Sequence, residues 1–176
     1  MSINELNLEG LAIETENILV KAHVNNSDEI MRQLGSLLFQ NGFVKDTYIQ
    51  AVLDREKIFP TGLQTNILGF AIPHTDTEHV NKPAVAIATL DQPVTFRAMD
   101  NLEVEIPVNI VMMLAISDPK SVVNVLRKVI SILEDEPALF ILLKATTKEE
   151  IKQAVYLHIG SMVDTSSKDK SVDFSH

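Results

Sequence analysis

Two apolar, β-rich runs, Ala84 to Leu90 and Ile106 to Ala115, constrain this chain more than any other feature. Both are rich in β-forming residues without regular polar alternation, so each reads as a central strand covered on both faces. Segments of helical period supply the covering layers. Ser27 and Asp28 offer caps for a helix whose Ile30, Leu34, Leu37 and Leu38 share one face, and Gly42 stops it. A second helix, about Asp46 to Glu56, turns Ile49, Val52 and Leu53 inward and delivers Arg55 near its C-terminal end. Asp118 and Pro119 fit an N-cap and first helical position ahead of Val122, Leu126, Val129, Ile130 and Leu133. Pro137 opens a short helix through Leu143. Thr147 with Glu150 makes a capping-box pattern for a last helix carrying Ile151, Val155 and Ile159, ended by Gly160. Ile18 to Val24 reads as a short strand and Val94 to Arg97 as an edge strand. Strands alternating with helices give an α/β domain whose sheet is covered on both faces, and ligands of such sheets gather at strand carboxyl ends.

The chain's 176 residues, 45% of them hydrophobic, are enough for one well-buried domain. That domain is expected over residues 1–160. Residues 161–176 are polar and rich in Ser, Asp and Lys, the composition of a disordered tail. No apolar run approaches the ~20 residues that span a bilayer, and the polar N-terminus, Met1 to Glu16, resembles no secretory signal. A cytoplasmic location without direct membrane insertion is therefore expected. Fifteen basic against 24 acidic residues leave a net charge of −9, which disfavours nucleic acid and suits a protein partner with a basic face. The absence of cysteine excludes thiol nucleophiles and thiolate metal sites.

Residues 67–72 are apolar enough for a buried strand, and Pro73, which cannot donate a ladder hydrogen bond, ends it. His74 follows at the strand end. Imidazole titrates near ~6.5 and forms covalent intermediates through one nitrogen while a hydrogen bond holds the other. A lone histidine after a strand is also an ordinary loop residue, so position alone does not assign a function. His74, Asp76, Glu78 and His79 are dense enough to raise a metal site, but no H-E-x-x-H helix is present and none is expected, nor is any cofactor. Met112 and Met113 lie in an apolar strand and read as core. His23, His158 and His176 have no partner motif and read as structural or solvated.

The stretch from Thr47 through Arg55-Glu56 and Phe59-Pro60-Thr61-Gly62 to Leu63, followed by Gly69-Phe70-Ala71-Ile72-Pro73-His74, resembles the enzyme IIA module of the fructose/mannitol class in the bacterial phosphoenolpyruvate:sugar phosphotransferase system. Arg55-Glu56 and the Phe59 to Gly62 run make it most similar to the galactitol-type subgroup. The likeness covers roughly residues 10 to 159. A bare A-I-P-H tetrapeptide is weak, but an R-E-x-x-x-P-T-G element some fifteen to twenty residues upstream makes the pair specific. The resemblance implies a mixed, mainly parallel sheet flanked by helices. It also implies that His74 accepts a phosphoryl group on Nε2 from the phosphohistidine of HPr and passes it to a cognate enzyme IIB.

Such transfer demands positioning and charge neutralisation, because the migrating group spreads negative charge over its oxygens. Arg55, at the position of the family's conserved arginine, could hold those oxygens bidentately or simply cap its helix. Thr75 or Asp76 could orient the imidazole; the sequence does not choose between them. Many mannitol- and nitrogen-type relatives carry a second histidine near the place of Val122. Here Val122, Val123 and Asn124 stand instead, so a two-histidine mechanism is unsupported and Asn124 could at most donate a hydrogen bond. Two functions follow: a phosphoryl relay in sugar or polyol uptake, or a regulatory binding module whose partner affinity is switched by phosphorylation of His74.

Overall fold

The two apolar runs are the middle of the sheet. In a computed structural model that describes residues 10–169, with side chains as far as His158, they belong to the 15-residue strands β4 (Ala84–Ala98) and β5 (Asn101–Ala115). The remaining strands are β1 (Ile18–Ala22), β2 (Gly62–Gln64) and β3 (Gly69–Ala71). Helices α1 (Ser27–Gln40), α2 (Tyr48–Ile58), α3 (Val122–Ile132), α4 (Glu136–Lys144) and α5 (Lys148–Asp169) complete the elements, with short 3-10 turns between several of them.

The sheet is mixed, in the order β1-β4-β2-β3-β5, with β4 and β5 also paired to each other. Three pairings are parallel: β1 with β4, β2 with β4, and β3 with β5. The longest ladder, β4 with β5, is antiparallel and runs from Ala84↔Ala115 to Ala98↔Asn101. The segment expected as a separate edge strand, Val94 to Arg97, is the distal arm of β4. Its register against β5 shifts between Thr89 and Val94, and Pro93 is tolerated at that break because no ladder bond is asked of it.

Strand alternation sorts the core into two layers. Val85 and Ile87 of β4, with Ile110, Met112 and Leu114 of β5, pack under α3, α4 and α5. Ala84, Ala86 and Ala88, with Val111, Met113 and Ala115, face α1 and α2. The alanine side lets helices approach closely, and the larger residues fill the other layer. Met112 and Met113 are fully buried, as their strand position suggests.

Local signals account for most element ends. Asn26, one residue before the expected caps, is the N-cap of α1 and accepts from Glu29 N. Gly42, at φ +83°, turns the chain after that helix. Asp118 caps the turn Pro119–Ser121 through Lys120 N, and Thr147 with Glu150 forms the expected reciprocal pair at the start of α5. Gly160 does not stop α5, which continues to Asp169; a glycine inside a helix costs only about 1 kcal/mol relative to alanine. Residues 170–176 of the expected tail lie outside the described residues.

Two close backbone approaches set the His74 loop against the sheet. Any side chain on Gly69 would overlap the Pro107 carbonyl, and a Cβ on Gly62 would come within 2.5 Å of the Arg97 carbonyl. Glycine at these positions lets β3 lie beside β5 and β2 reach the end of β4. Phe70 and Ile72 both have 0% relative exposure and belong to the core. Each such side chain contributes roughly 1.5–3 kcal/mol of burial, so the loop that begins at Pro73 starts from a fixed base.

Candidate functional site

The site grows from three sequence segments that meet at the end of β3. After Ala71 the chain runs through Ile72 and the buried Pro73 to His74, which is half-buried. Leu114 N donates to the Pro73 carbonyl at 3.0 Å, and Tyr48 Oη donates to the Leu114 carbonyl at 2.6 Å. Tyr48 is wholly buried, and burial drives its hydroxyl far above the usual phenol range, so it stays a donor. Strand β5 and helix α2 thus hold the peptide immediately before the histidine.

His74 Nδ1 lies 2.8 Å from the Ile72 carbonyl oxygen. A carbonyl only accepts, so Nδ1 carries the proton and, in the neutral ring, Nε2 keeps its lone pair. Burial is the main influence on this ring and pushes its pKa below the ordinary imidazole value. The Ile72 hydrogen bond opposes that shift, the Arg55 charge adds to it, and the Asp76 charge opposes it. The result is an uncharged imidazole at neutral pH with one defined nucleophilic nitrogen.

Arg55, on the last turns of α2, stands beside this ring. Its Nη1 is 3.5 Å from Asp76 Oδ1, and its guanidinium lies 5.2 Å from the centre of the Phe59 ring. Its Nε is buried with no hydrogen-bond partner among the described residues. The ion pair is long and largely exposed, which makes it weak and leaves most of the guanidinium's donors available to an anion.

A hollow of about 380 Å³ brings His74 and Arg55 together with Ile58, Phe59, Thr61, Met99 and Leu102 among its lining residues. Ile58 and Phe59 are 62% and 60% exposed, and Met99 and Leu102 are also exposed. These apolar groups come from the end of α2 and the β4–β5 turn. The signal of Ile58 and Phe59 in the sequence is apolar side chains continuing past Leu53 off the inward face of α2.

The two sequence-derived site residues therefore meet. The proposed ring-orienting side chains do not: Asp76 faces Arg55, Thr75 is buried, and a backbone carbonyl does the orienting. Asn124 is exposed on α3 and does not line the hollow. Of the residues weighed as a metal site, His79 has Nδ1 bonded to Thr47 Oγ1 and Nε2 3.5 Å from Glu78 Oε1, while Asp76 faces Arg55. Glu56 and Thr61, quoted above only as part of a motif, turn out to be bonded to each other behind the histidine.

Known proteins resemble this chain in sequence and in fold. Residues 12–157 match the family described as the phosphoenolpyruvate-dependent sugar phosphotransferase system, EIIA 2. The galactitol-specific EIIA component of Escherichia coli K12 is 28% identical over 113 residues, 63% of this chain and 75% of that one. The crystal structure of the mannitol IIA of Escherichia coli superposes with a TM-score of 0.69 at 26% identity, covering 82% of this chain and 99% of that one. Enzyme IIAMTL of Escherichia coli, in its complex with phosphorylated enzyme IIBMTL, superposes with a TM-score of 0.68 at 25% identity, covering 82% and 97%. Among the described residues no helix is long and apolar enough to cross a membrane. With its family match spanning nearly the whole folded region and its sheet shared with IIA structures, the chain belongs to the EIIA 2 family of the phosphoenolpyruvate-dependent sugar phosphotransferase system and is a phosphotransferase component of that system.

Proposed function

We propose that this protein is a cytoplasmic phosphoryl carrier that receives phosphate on Nε2 of His74 from the phosphohistidine of HPr and gives it to a cognate enzyme IIB. The observation that carries the reading is the fixed Nδ1–H of His74, which leaves Nε2 as the nucleophile beside a guanidinium with spare donors. In the forward step the Nε2 lone pair attacks phosphorus and forms the new P–N bond. The P–N bond to the donor imidazole breaks, and its electron pair returns to the donor nitrogen. No proton has to leave His74. The phosphorylated ring, still protonated on Nδ1, is cationic, so its bond to the Ile72 carbonyl becomes charge-assisted. Arg55 neutralises charge on the migrating oxygens, the main demand of phosphoryl transfer.

The exposed Ile58, Phe59, Met99 and Leu102 form an apolar rim on which the two partner proteins dock in turn. A galactitol-type or related polyol specificity for the system is favoured by the likeness to the galactitol-specific relative and by Val122 standing where other subgroups carry a second histidine.

The test is intact-protein and peptide mass spectrometry after incubation with phosphoenolpyruvate, enzyme I and HPr, with HPr omitted as a control. One acid-labile phosphoryl group on His74, dependent on HPr and discharged by enzyme IIB, is expected. No label with active carriers would overturn the relay and leave the regulatory module as the reading to pursue.

A further inference from the structure

A continuous hydrogen-bonded chain runs from the end of α2 to the histidine. Glu56 Oε1 accepts from Thr61 N at 2.8 Å, and the Thr61 hydroxyl lies 3.0 Å from Oε2 and 3.1 Å from Oε1. The same hydroxyl oxygen accepts from Ile72 N at 3.2 Å. A hydroxyl has one proton, so the carboxylate takes it and the oxygen lone pair is left facing the Ile72 N–H. Ile72 in turn presents the carbonyl that holds His74 Nδ1. Thr61 is 4% exposed, so an alternative water partner for its hydroxyl is remote.

We infer that Glu56 and Thr61 are positioning residues for His74: the carboxylate aims the threonine hydroxyl, the hydroxyl fixes Ile72, and Ile72 fixes the protonated nitrogen of the ring. The role rests on the reading of His74 as the phosphoryl carrier, and it gives the acid directly after Arg55 a task at the site. Arg55 and Glu56 are consecutive on one helix, so they leave it in directions about 100° apart. One faces the hollow with His74; the other passes behind the loop and reaches the histidine through the backbone. Losing the aim would cost the ring its tautomer preference, and it would weaken the charge-assisted bond that stabilises the phosphorylated ring.

Protonation of Glu56 would release the aim. A protonated oxygen donates to one lone pair of the Thr61 hydroxyl, the other lone pair still faces the Ile72 N–H, and the hydroxyl proton no longer has a charged acceptor to fix its direction. Burial pushes Glu56 up to about 7, against the lowering effect of both Thr61 hydrogen bonds. On its other side the carboxyl opens on a second hollow, shared with Asp28 of α1, Lys57 of α2, Arg97 of β4 and Glu105 of β5. Proton exchange with solvent therefore does not require the His74 side to open.

The test reads the ring itself in the unphosphorylated, ¹⁵N-labelled protein. At about pH 8 the wild type is expected to give a protonated Nδ1 and an unprotonated Nε2. Thr61→Val, which keeps the shape and removes the hydroxyl, is expected to mix the tautomers and slow phosphoryl transfer about fivefold to tenfold, the effect of one neutral hydrogen bond. Thr61→Ser is expected to restore both readouts. Glu56→Gln is expected to shift the tautomer balance in the same direction and to remove a transfer-rate inflection near neutral pH, and it carries the test if Thr61→Val does not fold. A folded Thr61→Val or Glu56→Gln protein with the wild-type tautomer and rate would overturn the inference. The tautomer is measured without any phosphoryl donor, so failure of His74 to accept phosphate in the wild type would instead refute the carrier reading.

Discussion

His74, half-buried, and His158, buried, are both hydrogen-bonded through Nδ1, yet they are suited to opposite tasks. His158, 9% exposed on α5, has both nitrogens engaged: Nδ1 with Asp135 Oδ2 at 2.8 Å and Nε2 with Ser131 Oγ at 2.9 Å. The Ser131 hydroxyl also donates to the Lys128 carbonyl, and Asp135 caps α4 through Ala138 N. This serine, histidine and aspartate are arranged like a hydrolytic triad, but every group is occupied in joining α3, α4 and α5. His74 has one nitrogen held and one left over. On the proposed function, a spare lone pair beside a cation separates a carrier from a staple, and burial or hydrogen bonding alone does not.

Deleting each ring in turn gives the largest contrast. His74→Ala is expected to abolish phosphorylation while moving the thermal midpoint by only a few degrees. His158→Ala is expected to load normally but to lose about 2 kcal/mol of stability, because Asp135 and Ser131, both partly exposed, each lose a partner. For a chain of this size that is roughly 4–8 °C, measurable by calorimetry. Full phosphate stoichiometry on His74→Ala would sink the assignment of the site.

Arg55→Ala comes next. Its charge is expected to matter to the transferring group and little to the fold, so transfer in both directions should slow roughly a hundredfold, as when one donor to a developing anion is removed. The exposed 3.5 Å pair with Asp76 contributes at most about 1 kcal/mol, so stability should scarcely change. Unchanged single-turnover rates would show that Arg55 only caps its helix and covers Phe59.

These contrasts also mark what could be read from the sequence. The layers were legible because Ala84 to Leu90 and Ile106 to Ala115 are too uniformly apolar for anything but covered strands, and helix ends were legible where Gly42, Asp118 and Thr147 carry local chemistry. The inward face of α3 was not. Val125, Val129 and Ile132 are fully buried while Val122, Leu126, Ile130 and Leu133 only flank them, and a helix apolar over so wide an arc gives no periodic clue to its rotation. Strand β2 was missed because it is only three residues long: all three pair antiparallel with β3, and Gly62 alone reaches β4. At the site, His74 and Arg55 were legible as residue types within a motif. The group that orients the ring was not, because a main-chain carbonyl has no letter of its own.

Proton linkage sharpens the comparison further. The pKa of His74 is lowered in the folded protein, so between that value and ~6.5 the unfolded chain binds more protons. Stability should therefore rise with pH through this window, and His74→Ala should flatten the slope. Glu56 works in the opposite sense. Its folded value is raised to about 7, so the folded state binds more protons between the ordinary carboxylate range and neutrality, and that contribution is lost as pH rises. Urea midpoints measured against pH in a Glu56→Gln background isolate the His74 slope; a flat profile there would contradict a depressed His74.

Asp135→Asn is expected to have the smallest effect and to test the staple without removing its cap. The hydrogen bond from His158 is the main reason the Asp135 carboxyl sits below its usual value, with Ala138 N helping and burial opposing. Its stabilisation is present above the unfolded carboxylate value near ~3.9 and lost as pH falls through the lower folded one. Asparagine still accepts from Ala138 N, since it serves nearly as well as aspartate at an N-cap. What disappears is the charge opposite His158. The acid limb of the stability profile below about pH 4 should become shallower, while loading of His74 stays at the wild-type rate. An unchanged acid limb would mean that the His158 pairing contributes geometry and no electrostatic stability, and the two histidines would then differ only in whether a lone pair is left over.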